Sequence, residues 1–192
     1  MLYGGTAIAL QLGHRESVDF DFFIRQDFDP QTLLDANALL ENAHVTQMSK
    51  NTLSVRLHAN DGTANAAIEP VFLSFFGVPK LPNLRVAHRI NKPAIALGQL
   101  IELSGMKVMV VQKRAEAKDY LDIHALIFEA RIDLPTQLAA ALALYPPNFA
   151  PDLSLKALCY FAEGNLSSIP ASIRSDLARA VRATDLQKLP SL

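Results

Sequence analysis

Two aspartates one residue apart, Asp19 and Asp21, sit in the run Val18–Ile24 (VDFDFFI). The run is apolar, rich in β-branched and aromatic residues and bounded by polar segments, so it reads as a strand. Side chains i and i+2 of a strand leave the same face, with Cα atoms about 6.5–7 Å apart. Asp19, Asp21 and Phe23 therefore share one face, and Val18, Phe20 and Phe22 the other. Two carboxylates aimed together can hold metal ions for phosphoryl chemistry, while the same spacing also fits a solvent-facing pair on an edge strand. The residues upstream bear on that choice. Gly4-Gly5-Thr6 precedes Ala7–Leu12; two glycines let a backbone approach phosphate closely, and a helix N-terminus offers free N–H groups to an anion. Thr6 suits the N-cap and Gly13 the stop, which predicts a short helix. Arg15 and Ser17 then lead into the strand, so the candidate anion-binding set is Gly4, Gly5, Thr6, Arg15 and Ser17.

Lys107 and the segment after it form a second group. On a predicted helix over 105–114, Lys107 shares a face with Leu103, Val110 and Val111. A lysine among apolar neighbours either snorkels outward or reaches into a cleft, where it could neutralise a triphosphate. In Lys118-Asp119-Tyr120-Leu121-Asp122 the two aspartates share a helix face at i and i+3. Acidic residues also favour a first helical turn, and Lys118 can pair with Asp122 at i+4. None of the five histidines pairs at metal-ligand spacing, and His14 reads equally as a surface residue. Glu69 is a candidate third carboxylate, with Pro70 beside it. Cys159, between Leu158 and Tyr160, is expected to be an inert core residue. Lys80, Arg85, Arg89 and Lys92, with His88 among them, form a basic stretch that fits either a local RNA patch or a solvated loop.

The elements that must position these groups follow from periodicity. Pro30 opens a predicted helix through about Asn42, with Leu33, Leu34, Ala38 and Leu40 as its stripe. Leu53, Val55 and Leu57 alternate with polar residues in a half-buried strand, and Asn60-Asp61-Gly62-Thr63 is a hairpin signal. The return strand is predicted from about Asn65 to Phe76, with Pro70 implying an edge, bulge or break. From Pro93 onward the pattern is helical, near 94–103, 105–114, 117–130, 135–144, 152–163 and 171–183. Early strands and late helices predict an α+β fold, with an α/β core over 1–92 and a helical C-terminal part over 93–192 packed on it.

Composition bounds the function classes. The chain has 192 residues, 50% of them apolar, enough to bury its own core without a disulfide or structural metal. Eighteen basic against nineteen acidic residues give a net charge of −1, which argues against a generic DNA-coating protein. No apolar run reaches about 18 residues and no basic-then-apolar leader opens the chain, so no membrane partner and a cytoplasmic setting are expected.

The run GGTAIALQLGHRESVDFDFF (Gly4 to Phe23), with MKVMVVQKRAEAKDYLDIHAL (Met106 to Leu126), resembles the AbiEii/AbiGii toxin family of the nucleotidyltransferase superfamily, whose catalytic fold is DNA polymerase β-like. The resemblance spans about Leu2 to Ile127. It implies a nucleotidyltransferase-like mixed sheet with flanking helices. Asp19 and Asp21 would hold Mg²⁺, Gly4 and Gly5 would cradle the triphosphate of an NTP, and Lys107 would contact the phosphates. Asp119 or Asp122 would complete the acidic site or activate the attacking hydroxyl. The implied activity is transfer of a nucleotide to an RNA (tRNA) or protein hydroxyl by the toxin of a type IV toxin–antitoxin or abortive-infection system, with a cognate antitoxin. Two departures stand out. Family members carry a segment before the Gly–Gly turn where three residues stand here, and the expected third carboxylate of the return strand meets only Glu69 and Ser74. Those departures keep a non-catalytic NTP- or partner-binding protein open, and a metal-dependent phosphohydrolase is a third possibility.

Overall fold

A computed structural model describes residues 1–57, 70–82, 88–91 and 94–192. Seven strands among them form one mixed sheet: β1 (Leu2–Tyr3), β2 (Asp19–Ile24), β3 (His44–Ser49), β4 (Thr52–Leu57), β5 (Val71–Gly77), β6 (His88–Asn91) and β7 (Ala94–Leu97). Their spatial order is β3-β4-β5-β2-β1-β7-β6. The Asp-bearing strand β2 is thus central, antiparallel to β1 and parallel to β5. Its register on β5 places Asp19 beside Phe72, Asp21 beside Ser74 and Phe23 beside Phe76.

The helices are α1 (Gly4–Leu12), α2 (Pro30–Asp35), α3 (Leu100–Val110), α4 (Ala117–Phe128), α5 (Leu134–Leu144), α6 (Pro151–Ala157) and α7 (Ala171–Arg182). Strands early and helices late confirm the α+β class. Gly13 ends α1 in the left-handed conformation, its N–H donating to Ala9 O, as a C-terminal glycine should. At the other end the expectation fails. The helix starts at Gly4, and Thr6, instead of capping it, is buried inside its first turn. The Thr6 hydroxyl donates to the Asp19 carbonyl oxygen and shares a 2.8 Å hydrogen bond with the Ser17 hydroxyl, tying α1 to the start of β2.

The helix predicted from Pro30 to Asn42 stops at Asp35; Asn37 caps a separate 3-10 turn by accepting from Leu39 N–H. Leu40 is buried there, but Ala38 is exposed. The helix predicted over 94–103 is also corrected. Ala94–Leu97 is a strand, and α3 begins at Leu100, so 105–114 is the end of one helix and the turn after it. Because β7 pairs parallel with β1, the sheet continues beyond residue 92. The short apolar run AIAL, with Leu97 buried and Ile95 and Ala96 half-buried, carries no period to separate strand from helix. Strand β3 is polar and mostly exposed, so no apolar pattern marks it in the sequence. The predicted Asn60–Thr63 hairpin and Glu69 lie outside the described residues. Cys159 lies past the end of α6 and is exposed, which overturns its placement in the core.

Three apolar clusters hold these layers together. Leu40, Leu53, Val55 and Leu73 form one beneath the outer strands. Leu2, Tyr3, Ala7 and Ile8 join Leu97, Leu103, Met106, Leu126 and Leu144, fastening α1, α3 and α4 to the sheet centre. The third is made wholly by the helical part, around Val108, Ile123, Leu138, Leu158 and Leu177. Helices α3 and α5 approach closely at Gly105, where a Cβ would stand 2.8 Å from the backbone of Ala140 and Ala141. A buried polar chain fixes α3 against the strands: Arg25 donates to the Tyr3 hydroxyl at 2.8 Å, and that hydroxyl donates to Glu102 Oε2 at 2.8 Å. Burial, then the hydrogen bond to Glu102, pushes the Tyr3 hydroxyl up to about 12.

Candidate active site

The central strand and the start of α1 make one wall of a pocket of about 590 Å³; α3 and the first turn of α4 make the other. Alternation along β2 sends Asp19, Asp21 and Phe23 into it, and alternation along β5 sends Phe72, Ser74 and Phe76. Gly4 is needed where it stands. Its φ is +70°, and a Cβ there would run into the Asp21 carboxylate. A Cβ on Gly5 would meet the Arg15 guanidinium and lie 3.2 Å from Asp122 Oδ2. Missing side chains thus let the N-terminus of α1 come up against Asp21 and Arg15.

Among the described residues, five cationic side chains line the pocket: Arg15, Lys107, Lys113, Arg114 and Lys118. Most are held from behind. Lys107, buried, places Nζ 2.6 Å from Asp119 Oδ1 and 2.6 Å from Asp122 Oδ2. Arg114 donates Nε to Asp119 Oδ2 at 2.8 Å and a terminal N–H to Oδ1 at 3.2 Å. Arg15 grips Asp122 through two hydrogen bonds of 2.6 and 3.0 Å, and His14 Nε2 adds a third at 2.7 Å. Burial alone would raise the pKa of both aspartates; the hydrogen bonds and neighbouring cations overcome it and hold both below the usual carboxylate range.

Asp19 and Asp21 are situated differently. Asp19 accepts from Lys118 Nζ at 3.1 Å, and Lys118 lies 3.3 Å from Glu116 as well. No hydrogen bond reaches the Asp21 carboxylate among the described residues. Burial and then the Asp19 charge raise the Asp21 pKa. A bare, half-buried carboxylate beside a second one suits a cation. The described residues contain no group of three or more His, Cys, Asp or Glu able to share a metal. Two carboxylates nevertheless fit Mg²⁺, which keeps several waters and takes further oxygens from substrate phosphates.

Of the residues singled out in the sequence, Gly4, Gly5, Arg15, Ser17, Asp19, Asp21 and Lys107 line the pocket together. Thr6, Asp119 and Asp122 are buried behind it. His14, read as a possible surface residue, has a side chain only 4% exposed against Asp122. Lys113, Arg114 and Lys118 were not among the candidate site residues, although their basic run at the end of α3 and the start of α4 was the available signal. Phe72 and Ser74 follow from the β5 period once its pairing with β2 is known. Lys80 and Arg89 of the basic stretch are exposed, and the side chains of the other three residues lie outside the described residues.

The family model for "Nucleotidyl transferase AbiEii toxin, Type IV TA system" matches residues 1–186. This chain belongs to the AbiEii nucleotidyl transferase toxin family. The match covers both the sheet and the helical part, so the mixed sheet with flanking helices is the nucleotidyltransferase-like fold that the resemblance implied. An uncharacterized protein of Aquifex aeolicus (strain VF5) is 28% identical over 164 residues, covering 84% of this chain and 73% of that protein. No helix among the described residues is long and apolar enough to cross a membrane.

Proposed function

We propose that this AbiEii-family chain is an Mg²⁺-dependent nucleotidyltransferase acting in the cytoplasm as the toxin of a type IV pair, moving a nucleotide from an NTP to a hydroxyl of tRNA, another RNA or a protein. The observation that carries the reading is the pairing of Asp19 and Asp21 with the Gly4–Gly5 helix start inside a pocket ringed by cations. A triphosphate entering it meets the free N–H groups of α1 together with Arg15, Lys107 and Arg114. Those cations are held before substrate arrives, so little reorganisation remains for the reaction itself. Mg²⁺ held by Asp19 and Asp21 would supply positive charge at the reacting phosphate. The acceptor hydroxyl oxygen forms a bond to the α-phosphorus as its proton passes to solvent, the bond from that phosphorus to the bridging oxygen breaks, and pyrophosphate leaves. Asp119 and Asp122 are positioning residues in this scheme, because their oxygens are taken up by Lys107, Arg114, Arg15 and His14.

Purified protein incubated with Mg²⁺, labelled NTPs and total tRNA should label the RNA or itself, and Asp19→Ala should abolish the label. Undiminished labelling by that variant would remove Asp19 from the mechanism. A second reading, an NTP-binding protein without turnover, draws on Ser74 standing beside Asp21 where a third carboxylate is expected. Calorimetry that finds NTP binding, with no labelled product and no phosphate release, would favour it. Release of phosphate or pyrophosphate without an acceptor would mark a phosphohydrolase.

A further inference from the structure

We propose that Lys118 is an internal cation seated on Asp19, which a divalent metal must displace and which the phosphates of a nucleotide then receive. The inference rests on Asp19 and Asp21 being the metal-binding pair.

The two carboxylates are unequal. Lys118 Nζ sits 3.1 Å from Asp19 Oδ2, while Asp21 has no hydrogen-bond partner among the described residues. Among the described pocket cations, Lys118 is the one in contact with either member of the pair; Lys107, Arg114 and Arg15 are committed to Asp119 and Asp122. A lysine ammonium is a compact point charge on a flexible stem, well suited to stand where a metal cation would. In the metal-free protein it offsets the repulsion between the two aspartates.

Displacing it is easy for two reasons. The pair is partly exposed, with Lys118 at 39% and Asp19 at 44%, and such pairs are weak. A second seat also exists at Glu116 Oε2, 3.3 Å from Nζ in the same arrangement. Off Asp19, the ammonium keeps Glu116 on one side and faces the wall of Lys107, Lys113 and Arg114 on the other, where a bound polyanion gives it a further partner. Metal and nucleotide therefore strengthen each other's binding, as linkage requires.

The test is a Mn²⁺ titration followed by electron paramagnetic resonance, with and without a non-hydrolysable NTP analogue. Without nucleotide, Lys118→Met should bind Mn²⁺ about two- to fivefold tighter than the native chain, the range a weak ion pair allows. Lys113→Met removes the same charge from the same pocket but touches neither aspartate, so its shift should be smaller. With the analogue bound, the advantage of Lys118→Met should vanish. Equal shifts in the two lysine variants, no shift in Lys118→Met, or an advantage that survives the analogue would each overturn the proposal while leaving the metal site standing. Asp21→Asn should lose Mn²⁺ binding; unchanged binding there would remove the metal site, and the role of Lys118 with it.

Discussion

Replacing Asp122 by asparagine separates holding from reacting. Asp122 is fully buried and receives Arg15 twice, His14 once and Lys107 once, at 2.6 to 3.0 Å. Asparagine keeps the shape but turns an N–H₂ group toward those donors and removes the countercharge. Lys107 is then left with Asp119 alone, and Arg15, with a side chain 14% exposed, has no acid to hold it. Breaking a buried pair from one side costs about 3–5 kcal/mol. For a chain of this size each kcal/mol lowers Tm by about 2–4 °C, so the loss should be roughly 6–20 °C. Thermal unfolding followed by circular dichroism reads that directly. A titration with NTP should also show weaker binding, because Arg15 has lost its anchor and Lys107 one of its two. A variant that melts within about 2 °C of the native chain and binds NTP normally, yet has lost turnover, would refute this reasoning and assign Asp122 to the chemistry itself.

Asp21→Asn should do the reverse for stability, raising Tm while abolishing nucleotide transfer. The folded pKa of Asp21 is raised by burial and by Asp19, so its contribution to stability is full below the unfolded value of about 3.9 and is lost as pH rises through the folded value. The Tm advantage of the variant should accordingly be largest at neutral pH and shrink on acidification; an advantage independent of pH would contradict the assignment. Gly4→Ala forces a side chain into a left-handed φ and against the Asp21 carboxylate. It should destabilise by at least about 1 kcal/mol and weaken NTP binding, checked by denaturant unfolding and calorimetry. A neutral result would mean the start of α1 does not press on the site.

What the sequence made legible was local. The Asp-Phe-Asp-Phe alternation placed both carboxylates on the pocket face, and α5 matches the helix expected over 135–144, whereas α2 and α6 start where expected but stop early, at Asp35 and Ala157 rather than near Asn42 and 163. Where several local choices compete, the reading failed: AIAL became strand β7 because β1 was there to pair with it, and the polar β3 became a strand by adding to β4. The i, i+3 spacing of Asp119 and Asp122 put them on one face correctly, but their burial depends on cations from distant parts of the chain. Thr6 shows the same limit, since its hydroxyl is taken by β2 rather than by its own helix.

The pocket also has a birth order. Arg15 and Asp122, which grip each other behind the phosphate-facing wall, are 107 residues apart. At about 5–20 residues per second of synthesis, roughly 5–20 s pass between their appearances on the ribosome. Through that interval the nascent chain carries the Gly–Gly turn and the aspartate pair but lacks the wall that grips phosphate. A message cut short before α3 yields a polypeptide without Lys107, Lys113, Arg114 and Lys118, so a truncating lesion there disarms the product, while one in the tail beyond α7 leaves every pocket residue encoded.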